Sequence, residues 1–375
     1  MKYIDLDASD LSKFSDYDGH EVIRNIRDEE TGLNAYVGVH NRNMGPALGG
    51  CRMYTYASDE DAITDVLRLS RGMTYKNALA GLPLGGGKSV IVGNPFEMKT
   101  DALMAEMGKG VDSLEGRYIT AEDSGSNVHD MQVMNEHTKY VVGIPSEGGD
   151  LGGDPSPFTA YGIYCGIKAA AQKRYGSSDM KGIKVAIQGM GAVGYRVAKH
   201  LHEDGAELVI TDVRDDVLQK VAAELSGTQI VSPDEIFGVE AQIFSPNALG
   251  AQINDVTIPQ LKVDIVAGGA NNQLATSQSG VMLAEKNILY VPDYVINAGG
   301  VIAVAYEYFD RINQNPFAFD LNRENLMKHI EGIGKTIGKI FNVAEQRSIT
   351  TDVAADELAE AIFSDDQSEL ANGTH

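Results

Sequence analysis

The sequence predicts an α/β protein of two domains, the second built on a doubly wound parallel sheet. Three observations carry that reading. Residues 183–212 run strand, glycine turn, helix, strand, and end on an acidic residue. Strand-like runs and helical or polar segments then alternate to about residue 292, the pattern of a parallel sheet with crossover helices. A glycine and proline cluster, Gly148 to Pro157, separates this half from a first half with its own mixed pattern. At 375 residues the chain is long enough for two full cores.

Residues 20–40 hold two short apolar runs, His20–Ile26 and Leu33–Val39, which read as a hairpin turning at Gly32. Asn43 to Met53 is glycine-rich and lacks periodicity, so it reads as loop or edge strand. Ser58 then caps a helix, with Asp61 three residues on as its partner. Ala62, Ile63, Val66, Leu67 and Ser70 form its buried stripe, and the helix is expected to run out near Gly72. Ser89–Gly93 reads as a short buried strand and Asp101–Leu114 as an amphipathic helix. Tyr118–Gly125 reads as a strand that ends in Glu122-Asp123 and breaks at Gly125. A carboxylate at a strand end is an acid/base candidate, with turn capping as the plainer alternative.

Between these elements, Met73–Lys88 carries two lysines, Lys76 and Lys88, flanking Gly85-Gly86-Gly87. Glycine backbone takes unusual dihedrals and comes close to ligands. Two ammonium groups converging on one cleft disfavour each other's charge, and burial adds to that. One of them is then usable as an acid/base near neutral pH, and the other can hold a carboxylate. A flexible loop with solvated lysines is the plain alternative.

In the second half, Phe158–Tyr175 reads as a long helix. Ile183–Gln188 is a buried strand that leads into Gly189-Met-Gly191-Ala192-Val193-Gly194, then an apolar helix, Tyr195–His202, then the strand Glu207–Asp212. The glycines allow a tight turn and the approach of a pyrophosphate to the helix N-terminus. Asp212 lies 18 residues beyond Gly194, where an acid accepts hydrogen bonds from adenosine ribose hydroxyls and favours NAD. Arg214 is close by and would tolerate a 2′-phosphate. Ala241–Pro246, Val263–Ala267 and Ile288–Pro292 continue the strands. Gly268–Asn272 and Asn297–Gly300 sit just past strand carboxyl ends, where such sheets bind ligands. Residues 322–348 read as long helix, and the polar tail from Ser364 as frayed.

The net charge is -22, with 53 acidic against 31 basic residues, which argues against nucleic acid or an anionic membrane as partner. No apolar run approaches a membrane span, and no signal peptide is evident at the start. Cys51 and Cys165 make neither a metal spacing nor a disulfide framework, which suits reduced thiols in the cytoplasm. The eight histidines are scattered and read as solvated or structural, so no metal is expected.

Gly45-Pro-Ala-Leu-Gly-Gly50, Met73–Ala78, Leu84–Lys88, Thr120–Asp123, Pro155–Thr159, the glycine fingerprint and Pro292–Gly300 come in an order that resembles one family. It is that of the glutamate, leucine, phenylalanine and valine dehydrogenases, and the resemblance spans roughly residues 20–345. It is nearest to the leucine-type members. The resemblance implies a substrate and oligomerisation domain, 1–147, to which helices of about 340–375 return, and a Rossmann-type NAD domain, 148–339. It implies that Lys76 pairs with the substrate α-carboxylate. Lys88 would be the low-pKa lysine that activates water, and Asp123 would shuttle the proton of the amino group. Hydride passes to a nicotinamide held by Thr159 and by Asn271 or Asn272; the family usually has one acidic residue in that pair, and this chain has two asparagines. Closure of the two domains on the cleft between them would exclude water.

In leucine-type enzymes the side-chain pocket is lined from the positions of Leu48, with Gly49 beside it, Ala121, Val301 and Val304. All are small or aliphatic here. Such a pocket suits leucine, isoleucine and valine and offers no charge for a glutamate γ-carboxylate. Phenylalanine needs more room, but a methylene or two changes discrimination by only about 1–3 kcal/mol. The expected activity is reversible NAD-dependent oxidative deamination of a branched-chain L-amino acid by a homo-oligomer. The alternatives are a phenylalanine-type member of the family and an inactive NAD-binding regulatory protein.

Overall fold

The computed structural model describes residues 1–144 and 151–364. The expected boundary at 147/148 and the polar tail from residue 365 lie outside the described residues. The chain divides into two compact units.

The first unit takes the described part of Met1–Gly153, then Val304–Leu321, and the chain from Ala359. Its elements are β1 (Lys2–Asp5), α1 (Ala8–Leu11), β2 (Val22–Asp28), β3 (Leu33–Asn41), β4 (Ala47–Tyr54), α2 (Asp59–Leu79), β5 (Gly85–Val92), α3 (Asp101–Asp112), β6 (Tyr118–Glu122) and α4 (Val128–Asn135). The six strands form one mixed sheet in the order β1-β2-β3-β5-β4-β6. The expected hairpin is β2–β3, with Gly32 at φ 77° in its turn. The β4–β5 and β4–β6 pairs are parallel, and the others antiparallel.

Strand alternation sends side chains to two cores. Ala35, Val37, Cys51, Met53 and Ile91 meet Met104, Met107 and Val111 of α3 and Met131 and Met134 of α4. Ile23, Tyr36 and Val90 point the other way, onto Ala62, Ile63, Val66 and Leu67 of α2. Ser58 caps α2 as expected, accepting from Asp61 N–H.

Three local expectations give way to packing. The helix α2 does not end at Gly72 but continues to Leu79, so Lys76 is helical. One glycine costs a helix only about 1 kcal/mol, and the buried Thr74, Tyr75, Asn77 and Ala78 secure the last turns. The segment Asn43–Met53 is not edge: β4 lies between β5 and β6. Gly85–Gly87 is the start of β5 rather than a loop, and none of the three has a positive φ.

The second unit comprises Asp154–Ala303 and Asn322–Leu358. It contains α5 (Ser156–Tyr175), β7 (Lys184–Gln188), α6 (Ala192–Glu203), β8 (Glu207–Thr211), α7 (Asp215–Glu224), β9 (Gln229–Ile230), β10 (Ile243–Pro246), β11 (Ile265–Val266), α8 (Ser277–Glu285), β12 (Leu289–Tyr290) and α9 (Asp293–Ile296). Its sheet has the order β12-β11-β10-β7-β8-β9, and every pair is parallel. This is the doubly wound arrangement the alternation predicted. The order reverses between β7 and β10, the position where such sheets take ligands beyond their carboxyl ends.

Three helices complete the described chain. They are α10 (Gly299–Arg311), α11 (Arg323–Arg347) and α12 (Thr351–Phe363). Val304–Arg311 of α10 belongs to the first unit, where the buried Glu307 accepts from Gly143 N–H at 3.0 Å and Ile144 N–H at 3.1 Å. Helix α11 lies along α5 in the second unit. Among the described residues no helix is long and apolar enough to cross a membrane.

Candidate active site

In the first unit the site grows out of the face of the sheet that α2 covers. Register puts Leu48 opposite Gly86, Gly50 opposite Ala121 and Arg52 opposite Val90. Val90 packs on α2, so alternation carries Lys88, Gly50, Leu48, Ala121 and Arg52 to that same side. The glycines are there because the backbone is crowded on both sides. A Cβ on Gly86 would lie 2.1 Å from Thr74 N of α2, and one on Gly87 2.6 Å from the Tyr118 ring on the opposite face. A Cβ on Gly49 would come within 1.7 Å of Gly87 O. Asn77, next to Lys76, donates to Gly85 O at 2.7 Å and to Leu48 O at 3.4 Å, fastening the last turns of α2 to β5 and β4.

Lys88 and Asp123 meet directly: Lys88 Nζ donates to Asp123 Oδ2. Both are shielded, with side chains 8% and 19% exposed. Asp123 sits just past β6 and is held from several sides. Its Oδ1 accepts from Ser124 N–H at 2.7 Å, and its own N–H donates to Ser126 Oγ at 2.9 Å. A Cβ on Gly50 would lie 2.7 Å from Asp123 Cβ, so only glycine leaves the carboxylate its place. Burial works to raise the Asp123 pKa. The Lys88 ammonium and the Arg52 guanidinium outweigh it and hold the carboxyl at about 2. The group is therefore an ionised acceptor for the Lys88 donor.

Beneath this pair, the buried Tyr118 hydroxyl donates to Gly49 O at 2.9 Å and pairs with Ser89 Oγ at 3.1 Å. Cys51 is buried there too, and burial pushes its thiol up to about 12, the reverse of an activated nucleophile. Arg52, which the sequence reading did not single out, reaches Asp65 with Nη1 at 3.0 Å and Asp123 with Nε at 3.9 Å. Its signal was a lone cation inside an otherwise apolar strand. Arg52, Tyr56, Asp65 and Ser124 also line an open cavity of about 390 Å³. Of the residues the resemblance assigns to the side chain, Leu48 is 1% exposed, Val304 is buried and Ala121 is partly buried in the first unit, and Val301 is partly buried in the second.

The glycine fingerprint of the second unit has the geometry the motif requires. Gly189 follows β7 at φ 90° and donates from its N–H to Thr211 O at 2.8 Å. A Cβ on Gly194 would lie 1.9 Å from Gly189 O, so the third glycine lets α6 start tight against the turn. Gly191, the N-cap of α6 before Ala192 and Val193, is different: a Cβ there would meet nothing within 4 Å. Its face is the open one, and a dinucleotide pyrophosphate fits it. Asp212 Oδ2 accepts from Met190 N–H at 2.7 Å, while Arg214 lies along the same carboxylate, Nε to Oδ1 at 3.0 Å. Burial opposes ionisation of Asp212, but Arg214 and the Met190 and Arg214 N–H groups hold its pKa below the ordinary value.

Across the switch point, Asn247 Oδ1 accepts from Gly269 N–H at 2.9 Å. Asn297 Nδ2 donates to Asn271 Oδ1 at 2.8 Å, and Asn272 has a left-handed φ of 51°. Thr159, in the first turn of α5, donates from Oγ1 to Pro155 O at 3.1 Å. A Cβ on Gly300 would come within 2.5 Å of that hydroxyl. Among the described residues no group of histidine, cysteine and carboxylate side chains could hold a metal ion.

Known proteins match this chain over nearly all its length. The family model of the Glu/Leu/Phe/Val dehydrogenase dimerisation domain matches residues 20–140. The Glutamate/Leucine/Phenylalanine/Valine dehydrogenase model matches 148–218 and 210–362. Leucine dehydrogenase from Thermoactinomyces intermedius is 49% identical over 92% of this chain and 90% of its own. Leucine dehydrogenase from Bacillus cereus is 48% identical over the same shares. The crystal structure of L-tryptophan dehydrogenase from Nostoc punctiforme superposes with a TM-score of 0.78 at 40% identity, covering 92% of this chain and 96% of that one. With both family models matched and the expected fold present in each unit, the chain belongs to the glutamate, leucine, phenylalanine and valine dehydrogenase family.

Proposed function

We propose that the protein catalyses the reversible, NAD-dependent oxidative deamination of a branched-chain L-amino acid, leucine foremost, to the 2-oxo acid and ammonia. The observation that carries the reading is the shielded ion pair between Lys88 of β5 and Asp123 just past β6, in a chain of this family. Leucine dehydrogenases at 48–49% identity, against 42% for the tryptophan enzyme, support the choice of substrate. So do the aliphatic residues Leu48, Ala121, Val301 and Val304.

Lys76 holds the α-carboxylate in this reading, and the first unit orients the amino acid. The ionised Asp123 accepts a proton from the substrate ammonium, freeing the nitrogen lone pair. A bound dinucleotide would supply the hydride acceptor for the α-carbon. Lys88 then orients and activates the water that adds to the imine carbon, and Asp123 returns a proton to the departing nitrogen. Low water content around the pair strengthens each of these interactions.

The dinucleotide is NAD in this proposal: Gly189, Gly191 and Gly194 leave room for the pyrophosphate, Ala192 and Val193 offer their N–H groups, and Asp212 takes the ribose hydroxyls. Thr159 and the Asn271-Asn272 pair serve the nicotinamide end. We also propose a homo-oligomer working in the cytoplasm. The match of residues 20–140 to a dimerisation domain supports assembly, and two free cysteines suit a reducing compartment.

The test is NAD reduction, followed by absorbance, with L-leucine, L-valine, L-isoleucine, L-phenylalanine and L-glutamate at low and high salt. Best activity with the branched-chain substrates is expected. Phenylalanine ahead of them would keep the mechanism and overturn the pocket. Silence across the panel with NAD bound would move the protein to a regulatory role.

A further inference from the structure

Asp123 Oδ2 has two cations beside it, and the reaction above uses only one. The second is Arg52, and its reach is determined by an anchor at its other end. Arg52 Nη1 donates to Asp65 Oδ2 at 3.0 Å, and Tyr56 OH donates to the same oxygen at 2.6 Å. Asp65 lies on α2, Tyr56 just beyond β4, and Arg52 on β4 two residues after Gly50. The guanidinium is thereby stretched between α2 and the end of β6, with Nε 3.9 Å from Asp123 Oδ2. Arginine suits this place, because its planar group bonds one carboxylate through Nη1 while the Nε edge faces another.

We infer that Arg52, anchored by Asp65 and Tyr56, is a positioning residue for the proton-transfer pair: it fixes the Asp123 carboxylate against Lys88 and supplies a permanent positive charge behind it. The inference rests on the dehydrogenase reading above, in which Asp123 moves the substrate's proton. The charged and titratable groups facing Asp123 are Lys88 from β5, Arg52 and Cys51 from β4, and Tyr118 from β6. Glu122 precedes Asp123 in the chain. Arg52 is the one that also binds outward, to α2.

The argument has a chemical consequence. A carboxylate that takes a proton from a substrate ammonium must be ionised and must not swing away when that ammonium arrives. Ser124 N–H holds Oδ1 and Lys88 holds Oδ2, but Lys88 itself takes part in the reaction. Arg52 remains charged throughout, since a guanidinium keeps its proton in proteins. It therefore keeps the site's charge balance constant while protons pass between the other two groups.

The experiment compares wild type with Arg52→Met, Arg52→Lys and Asp65→Asn in leucine deamination as a function of pH, with folding followed by thermal unfolding. Loss of a fixed positive charge makes every proton of the neighbouring pair harder to release. The rising limb of the kcat profile in Arg52→Met is expected to move to higher pH by about one unit. Arg52→Lys keeps the charge and should return the limb to within a few tenths of wild type, with kcat still lowered because a lysine cannot both bond Asp65 and face Asp123. Asp65→Asn keeps Arg52 charged and loosens its anchor, so kcat should fall several-fold while the KM for leucine and NAD stays near wild type. An unmoved limb in a folded, active Arg52→Met enzyme overturns the inference. If Arg52→Met does not fold, wild-type kinetics in Asp65→Asn overturn it. An inactive wild type would instead refute the dehydrogenase reading itself.

Discussion

Lys88 Nζ donates to Asp123 Oδ2, and this contact joins a residue from the start of β5 to one just past the end of β6, 35 positions away. Each is of little note alone, a lysine behind glycines and an aspartate at a turn. Together they form an ion pair shielded from solvent, in which Asp123 is the acceptor and Lys88 the donor. Shielding makes the pair responsive: adding or removing one proton changes the local field far more than at a surface.

Lys88→Ala should reduce turnover by about 10²–10⁴-fold or more, the range over which positioned acid–base groups act. The glycine fingerprint proposed to seat the dinucleotide belongs to the other unit, so NAD affinity should stay close to wild type by fluorescence titration. Retained amino-acid oxidation in this variant would remove Lys88 from the mechanism.

The alternating half of the chain was legible because each strand is a short apolar run between glycine or proline signals. Likewise, Gly189, Gly194 and Asp212 follow one local template, and the order of β7, β8 and β10 follows from it. The first unit was harder. Gly72 looked like a helix end, since a local reading does not contain the strand backbone that Asn77 grips about 7.5 Å of helix rise further on. The run Gly85–Gly87 looked like a loop, because the glycines answer to Asn41, Thr74 and Tyr118, all distant in sequence. Arg52 was passed over for the same reason: its meaning lies in Asp65 and Asp123, which only the fold brings to it.

Gly191→Ala and Gly194→Ala should separate folding from cofactor binding. A methyl on Gly191 meets no protein atom within 4 Å, so thermal stability should hold while NAD affinity falls as the pyrophosphate is kept at a distance. A methyl on Gly194 would press on Gly189 O and should cost about 1–3 kcal/mol of stability as well. Thermal unfolding with and without NAD distinguishes the two. Equal loss of stability in both variants would contradict the open space at Gly191.

Asp212→Ala should weaken NAD by about ten- to a hundredfold, the worth of charged hydrogen bonds of roughly 1.5–3 kcal/mol. It should also release Arg214 from its contact at 3.0 Å, leaving a guanidinium available to a 2′-phosphate. The ratio of NAD to NADP affinity should therefore narrow by more than the loss of NAD alone explains. The KM for leucine at saturating NAD should stay near wild type. A variant that loses NAD and NADP equally would count against Arg214 as a second determinant.

Two carboxylates of the first unit should give opposite pH dependences to its stability. Asp123 has its pKa depressed to about 2 in the folded state. Its contribution is present above the ordinary carboxylate pKa and is lost as pH falls through about 2. The stability gap between wild type and Asp123→Asn should accordingly shrink between pH 4 and pH 2. Glu307 is the reverse case: burial at 5% exposure raises its pKa, against the pull of the Ile144 N–H, Arg311 and the Gly143 N–H. Its contribution is fully present below the ordinary value and is lost as pH rises through the raised one. Glu307→Gln keeps an oxygen for the Gly143 and Ile144 N–H groups without the buried charge. It should gain on wild type as pH rises from 4 towards 7, measured by urea unfolding at each pH. A Glu307→Gln variant that loses ground over that range would mean that the buried charge, with its hydrogen bonds to Gly143 and Ile144, stabilises the first unit more than burial costs it.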